Sequence, residues 1–138
     1  MRLSVLLCLS VLVFSWPSLA QEKYPPLEVL MSSSKTVLGQ PLKYPEGQAK
    51  MTAAIVTMSP GQETGPHIHP VPLFGYMLSG ELTVDYGKDG KKVYRTGDSL
   101  IEAFKTVHDG KNTGTVPARI LVVFAGAENV PNTTMMNK

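Results

Sequence analysis

Gly61-Gln62-Glu63-Thr64-Gly65-Pro66-His67-Ile68-His69-Pro70-Val71-Pro72-Leu73-Phe74-Gly75-Tyr76-Met77-Leu78-Ser79-Gly80 is the stretch on which the reading of this chain turns. It carries two of the three histidines, one residue apart. Pro66, Pro70 and Pro72 exclude a helix, because the proline ring removes a donor and pushes the preceding residue into extended conformation. In an extended segment residues i and i+2 point to the same side. His67 and His69 are therefore expected to aim both imidazoles at one point. Neutral imidazole is a ligand for Zn, Fe, Ni and Cu.

A lone His-x-His pair is a weak signal, and many such pairs bind nothing. The third histidine strengthens it. His108 closes the run Gly97-Asp98-Ser99-Leu100-Ile101-Glu102-Ala103-Phe104-Lys105-Thr106-Val107-His108, and Asn112 follows four residues later. His108 also stands at the start of an expected strand.

These two stretches resemble the two cupin motifs. The first motif runs glycine, five residues, His-x-His, three or four residues, glutamate, six residues, glycine; Gly61, His67, His69 and Gly80 fall in step with it. The second runs glycine, five residues, proline, one residue, glycine, two residues, histidine, three residues, asparagine; Gly97, His108 and Asn112 match. The chain departs from the pattern at Leu73, where the glutamate belongs, and at Ala103 and Lys105, where the proline and second glycine belong. The last two changes affect a turn that the fold is expected to absorb. The first leaves three neutral ligands and no carboxylate. The resemblance implies a metal site of His67, His69 and His108, similar to that of three-histidine cupin dioxygenases. It implies a divalent ion (Fe, Mn, Zn, Ni or Cu) and a homodimer.

Residues 1–20 read as a secretory signal. Arg2 supplies the positive end, Leu3 to Phe14 is too short to span a bilayer comfortably, and Ser18-Leu19-Ala20 places the cut after Ala20. The expected location is secreted or periplasmic, with no membrane association after cleavage. Cys8 and Trp16 leave with the leader, so the mature chain has neither a disulfide nor a thiolate ligand. From Gln21 onward 118 residues fit one domain, with a core over about 29–126. Without Arg2 the 13 Lys and Arg become 12, against 11 Asp and Glu. That balance, with no basic run, argues against nucleic acid as a partner.

Short strands with glycine and proline punctuation, and no helical period, predict an all-β sandwich or barrel. Expected strands cover Val29 to Leu38, Ala49 to Met58, Phe74 to Leu78, Glu81 to Tyr86, Lys91 to Arg95, Ser99 to Ala103 and Ala118 to Ala125. In the second of these Met51, Ala53 and Ile55 oppose Lys50, Thr52 and Ala54. Leu82, Val84 and Tyr86 share one face of their strand. Phe74 to Leu78 is expected to be buried on both sides. Pro25-Pro26 belongs to an extended arm, and the polar tail from Asn129 is expected to be loose. The cupin resemblance narrows the class to a double-stranded β-helix, or jelly-roll barrel, with room for one small ligand.

Glu102 and Glu63 are the candidates to replace the missing carboxylate, as ligand or as general base. Glu102 is favoured because it sits among apolar strand residues, where a carboxylate is easier to justify beside a metal than alone. Tyr76, Tyr94, Phe104 and Phe124 line a pocket or simply fill the core. Asn112 either closes a turn or orients His108. Asn132-Thr133-Thr134 matches a glycosylation acceptor, meaningful only in a eukaryotic secretory pathway. Two functions fit: a metal-dependent enzyme acting on a small molecule (dioxygenase, lyase or isomerase), with Glu102 moving protons, or a non-catalytic cupin that binds a metal or small ligand. Fold does not choose between them.

Overall fold

Alternating apolar and polar residues build the strands that face each other across the core. The structure, a computed structural model, describes residues 26–137. The expected leader, its cut after Ala20 and the first residues of the arm lie outside them. Among the described residues nine strands form: β1 (Ala49–Met58), β2 (His67–Ile68), β3 (Leu73–Ser79), β4 (Glu81–Asp85), β5 (Lys91–Arg95), β6 (Ser99–Ile101), β7 (Asp109–Asn112), β8 (Ala118–Ala127) and β9 (Thr134–Met135). All pairs between them are antiparallel. One sheet has the order β1-β8-β3-β6, a second β5-β4-β7, and β2 pairs with β9. This is the expected all-β jelly roll.

The core lies between the first two sheets. Leu82, Val84 and Tyr86 are buried on one face of their strand, as their alternation predicts, and meet Met77, Leu100, Ile120 and Val122 from the other sheet. In β3 only the alternate residues Leu73, Gly75 and Met77 are buried, while Phe74 and Tyr76 are half-buried on the outer side. Burial on both sides of this strand is therefore not what forms.

Val29 to Leu38 does not form a strand. It closes a local bridge, Lys35 to Pro41, and reaches the sheets through Val37 N–H to the Ile101 carbonyl, Lys92 Nζ to the Val37 carbonyl and Ser99 Oγ to the Leu30 carbonyl. The serines explain this. Ser33 Oγ accepts from Lys35 N–H and donates to the Lys35 carbonyl, closing a local turn that competes with a ladder. Pro41 cannot donate at the bridge.

Gly80 closes the first motif at φ +79, and a Cβ there would meet the Pro117 carbonyl oxygen and Ala118 Cα at 2.8 Å. Both contacts are backbone and cannot yield, so the motif's last glycine is structural. Lys105, at the second motif's missing glycine, has φ +51. The turn is absorbed, as expected, but a side-chain-bearing residue holds the left-handed conformation that glycine adopts without cost.

Asn112 is a turn and strand anchor. Its Nδ2 donates to the Met58 and Val116 carbonyls at 2.9 Å each, and its Oδ1 accepts from Gly114 N–H at 2.9 Å. The residue is almost wholly buried. Asn112→Ala should strand these three backbone groups and cost on the order of 3 kcal/mol, read as a lower midpoint in urea unfolding at unchanged slope. A loss below about 0.5 kcal/mol would mean water replaces the amide.

Candidate metal centre

Backbone pairing brings the three histidines together. His67 and His108 form an antiparallel bridge, each N–H donating to the other's carbonyl at 3.0 Å. Directly opposed residues in such a pair project to the same side. His69, two residues on from His67, projects there too. It is held by Lys105 N–H, which donates to the His69 carbonyl at 3.0 Å. The three rings, all buried, lie with centroids 4.4 to 5.1 Å apart. One ring nitrogen from each falls within 4.8 Å of the others.

The opposite nitrogen of every ring is already engaged. Nδ1 of His67 donates to the Gly65 carbonyl at 2.8 Å, that of His108 to the Thr106 carbonyl at 2.8 Å, and that of His69 to the Asn132 carbonyl at 3.0 Å. A proton on Nδ1 leaves Nε2 with a free lone pair, the tautomer that a metal takes. Burial lowers the pKa of His67, and lowers that of His69 to about 4, so both rings are neutral at pH 7. His108 Nε2 is buried and has no hydrogen-bond partner among the described residues. An orphaned buried nitrogen costs free energy unless something accepts its lone pair. The donor set therefore fits a divalent ion held by three imidazoles.

The tail reaches this site, contrary to the loose end expected from Asn129 onward. β9 pairs with β2, so that Met135 stands opposite His67. Thr133 Oγ1 lies 3.1 Å from His69 Nδ1, beside the Asn132 carbonyl. The tail's polar composition concealed this, because its work is done by backbone and one hydroxyl. Nothing in the spacing announces such a contact.

Of the two carboxylate candidates, only Glu102 faces the histidines. It is buried, and its Oε2 lies 3.9 Å from His108 Nε2. That is too long for a hydrogen bond. Its Oε1 accepts from Ala103 N–H at 2.6 Å. Beyond it Tyr86 and Tyr94 share a hydroxyl–hydroxyl contact of 3.2 Å. Burial, then the charge of Glu102, pushes the Tyr86 phenol far up; burial pushes Tyr94 up to about 12. Both phenols stay protonated and can donate. Glu63 pairs instead with Lys111 at 2.9 Å on the surface.

The histidines and Glu102 open on a cavity of about 100 Å³. Its other walls are apolar, Leu82, Val84, Leu100, Ile120 and Val122 among them. Leu73 lines it as well, so the position of the missing motif glutamate does face the site. Phe124 lines the cavity and its ring centroid is 5.6 Å from that of His69. Tyr94 belongs to the core, whereas Tyr76 and Phe104 are half-buried and do not line the cavity.

A family model described as the cupin domain matches residues 54–124. The chain belongs to the cupin family. No curated protein matches it. Among solved structures, this cupin is similar to the formate complex of Lactobacillus farciminis oxalate decarboxylase at 23% identity and a TM-score of 0.55, with 64% of this chain and 27% of that one covered. It therefore spans about a quarter of that enzyme's length. An uncharacterized conserved protein with a double-stranded beta-helix domain from Klebsiella pneumoniae matches at 22% identity and a TM-score of 0.55, covering 70% and 91%. The DMSP lyase DddQ from Ruegeria pomeroyi matches at 21% identity and a TM-score of 0.54, covering 62% and 43%. At these identities the likeness is one of fold.

Proposed function

We propose that this cupin is a metal-dependent enzyme acting on a small molecule, with His67, His69 and His108 as ligands and Glu102 as the group that holds or moves a proton. The observation that carries the reading is the unpartnered Nε2 of His108, beside two rings whose Nδ1 atoms are likewise committed to carbonyls. A bound divalent ion supplies Lewis acidity, polarising a coordinated oxygen. The carbonyls of Gly65, Thr106 and Asn132 fix the rings. The apolar walls exclude water, which strengthens every charge interaction inside. Glu102 Oε2 faces the same space and is placed to take a proton from a bound substrate. Lyase and isomerase chemistry use such a pairing of Lewis acid and base, whereas dioxygenase chemistry would further need a redox-active ion to activate O2. Among solved structures of similar fold is Bacillus subtilis oxalate decarboxylase, whose Mn(II) centres one structure describes, at 25% identity and 24% coverage of that chain. That is consistent with manganese among the candidate ions.

Elemental analysis of the purified mature protein should find about one divalent ion per chain, as a single three-nitrogen site requires. Oxygen uptake and product analysis across small thiols and carbonyl compounds then identify turnover. Glu102→Gln should keep the metal and lower turnover by about 10²- to 10⁴-fold. Loss of metal together with activity would make Glu102 a ligand, and no loss of either would remove it from the chemistry. A metal-loaded protein with no turnover on any compound would favour the non-catalytic binder.

We also infer that the protein is exported, on the strength of residues 1–20, and that it pairs with a second copy. Pairing is supported by the outer face of the larger sheet. There Met51, Ala53 and Ile55 stand beside Ala125, Val123 and Leu121, and the last two beside Phe74 and Tyr76. Met51 is 74% and Ile55 49% exposed. β1, an edge strand, runs about 33 Å, and four strands spread about 19 Å. A face of that size, on the order of 600 Å², approaches the roughly 800 Å² each partner buries in a stable pair. Arg119 is the one charged residue that β1, β3 and β8 present on it, so the face suits an uncharged copy of itself related by a two-fold axis. Light scattering should give a dimer, and Ile55→Lys a monomer of unchanged fold. A wild-type monomer at about 50 μM, well above a micromolar dissociation constant, would refute pairing.

A further inference from the structure

We infer that Gln40 is a positioning residue for the metal centre: its amide clamps the turn Phe104-Lys105-Thr106, from which both His69 and His108 are held. This rests on the metal reading above and names what keeps two of its ligands in place.

The turn needs a restraint that its own residues do not supply. Lys105 stands at φ +51, a conformation that a residue with a Cβ keeps only where its surroundings hold it there. Gln40 reaches the turn from 64 residues away. Its Nε2 donates to the Phe104 carbonyl at 2.9 Å and to Thr106 Oγ1 at 3.1 Å. Its Oε1 accepts from Phe104 N–H at 2.9 Å and from Thr36 Oγ1 at 3.0 Å. These four bonds use both amide protons and both lone pairs of the oxygen. Turned over, the amide would set its NH2 against the Phe104 N–H, so its orientation is fixed. The base of the clamp is fixed as well. Thr36 is buried, and its N–H donates to the Gln40 carbonyl at 2.9 Å while its Oγ1 accepts from Gln40 N–H at 3.3 Å.

The clamped turn carries one bond to each of two ligands. Lys105 N–H donates to the His69 carbonyl at 3.0 Å. The Thr106 carbonyl accepts from His108 Nδ1 at 2.8 Å, the bond that leaves Nε2 of that ring for the ion. A turn relaxing at Lys105 would displace both partners together. Gln40 lies in the segment that fails to form a strand, and its side chain does there what a neighbouring strand would do with its backbone: it pairs with the N–H and the carbonyl of one residue.

The test is Co(II) affinity, measured by competition with a chromophoric chelator at a temperature where each protein is fully folded. Gln40→Ala should bind Co(II) about tenfold more weakly, at the low end for an outer bond to a ligand, and shift the visible bands of the bound ion. Adding Lys105→Gly should recover about threefold of that loss, because glycine holds the left-handed conformation without a clamp. Thr106→Val removes one of the four bonds, should weaken binding by about threefold, and decides the matter if Gln40→Ala does not fold. Wild-type affinity and bands in the folded variant, whatever its unfolding temperature, would overturn the inference and leave the metal site standing. A loss that Lys105→Gly leaves unrepaired would overturn it too, since Gln40 would then act by another route. Failure of the wild-type protein to take up Co(II) would remove the metal reading, and this inference with it.

Discussion

His108→Ala should abolish metal retention through gel filtration and weaken divalent-ion affinity by at least about 100-fold, more than the loss of an outer hydrogen bond to a ligand costs. His67→Ala and His69→Ala should do the same. The argument is geometric. Three nitrogens within 4.8 Å of one another share one ion, and removing any of them leaves two ligands in an apolar pocket. His108 is the most informative of the three because its Nε2 has no hydrogen-bond partner among the described residues. In the metal-free protein its loss removes an orphaned polar atom, which offsets part of the cost of the cavity and of the lost Nδ1 bond to the Thr106 carbonyl. In the metal-loaded protein the same change should remove ligand-linked stability, about 2.7 kcal/mol for each 100-fold of affinity at saturating ion. Thermal unfolding with and without metal separates the two. Equal metal content in wild type and all three variants would exclude this site.

Deletion of residues 131–138 should lower metal affinity by about 10- to 100-fold while the barrel stays folded. β9 pairs only with β2, so the two main sheets keep all their strands without the tail. What the tail supplies is the Asn132 carbonyl at 3.0 Å and Thr133 Oγ1 at 3.1 Å from His69 Nδ1. Without them the ring loses the partner that fixes its tautomer and its orientation. Thr133→Ala removes only the hydroxyl and should show a smaller fall. Competition with a chromophoric chelator measures all three chains. Unchanged affinity in the truncated protein would show that β2 alone orients His69.

The strands that read correctly from the chain are those with strict alternation or sustained β-branched content. Ala49 to Met58 is bounded correctly because Ser59-Pro60-Gly61 stops it, and Glu81 to Tyr86, one residue longer than β4, is found because every second residue is apolar. Val29 to Leu38 misled, since its apolar residues flank serines that satisfy their own neighbours' backbone. Leu73, read as a lost ligand, does face the site. Glu102 was legible as a charge among apolar residues, but not its 3.9 Å approach to His108, which depends on how β6 lies against β7 across two sheets.

Spacing alone, through prolines that forbid a helix and glycines that permit tight turns, determined an all-β sandwich or barrel and a pair of histidines on one side of a strand; the cupin resemblance narrowed the first to a jelly roll. Those are local consequences of backbone sterics. Three things needed the folded chain: the bridge that sets His108 opposite His67, the tail strand that clasps His69, and the apolar walls gathered round the histidines. Each joins segments tens of residues apart. Backbone hydrogen bonds carry no side-chain signature, so no pattern along the chain could have announced them.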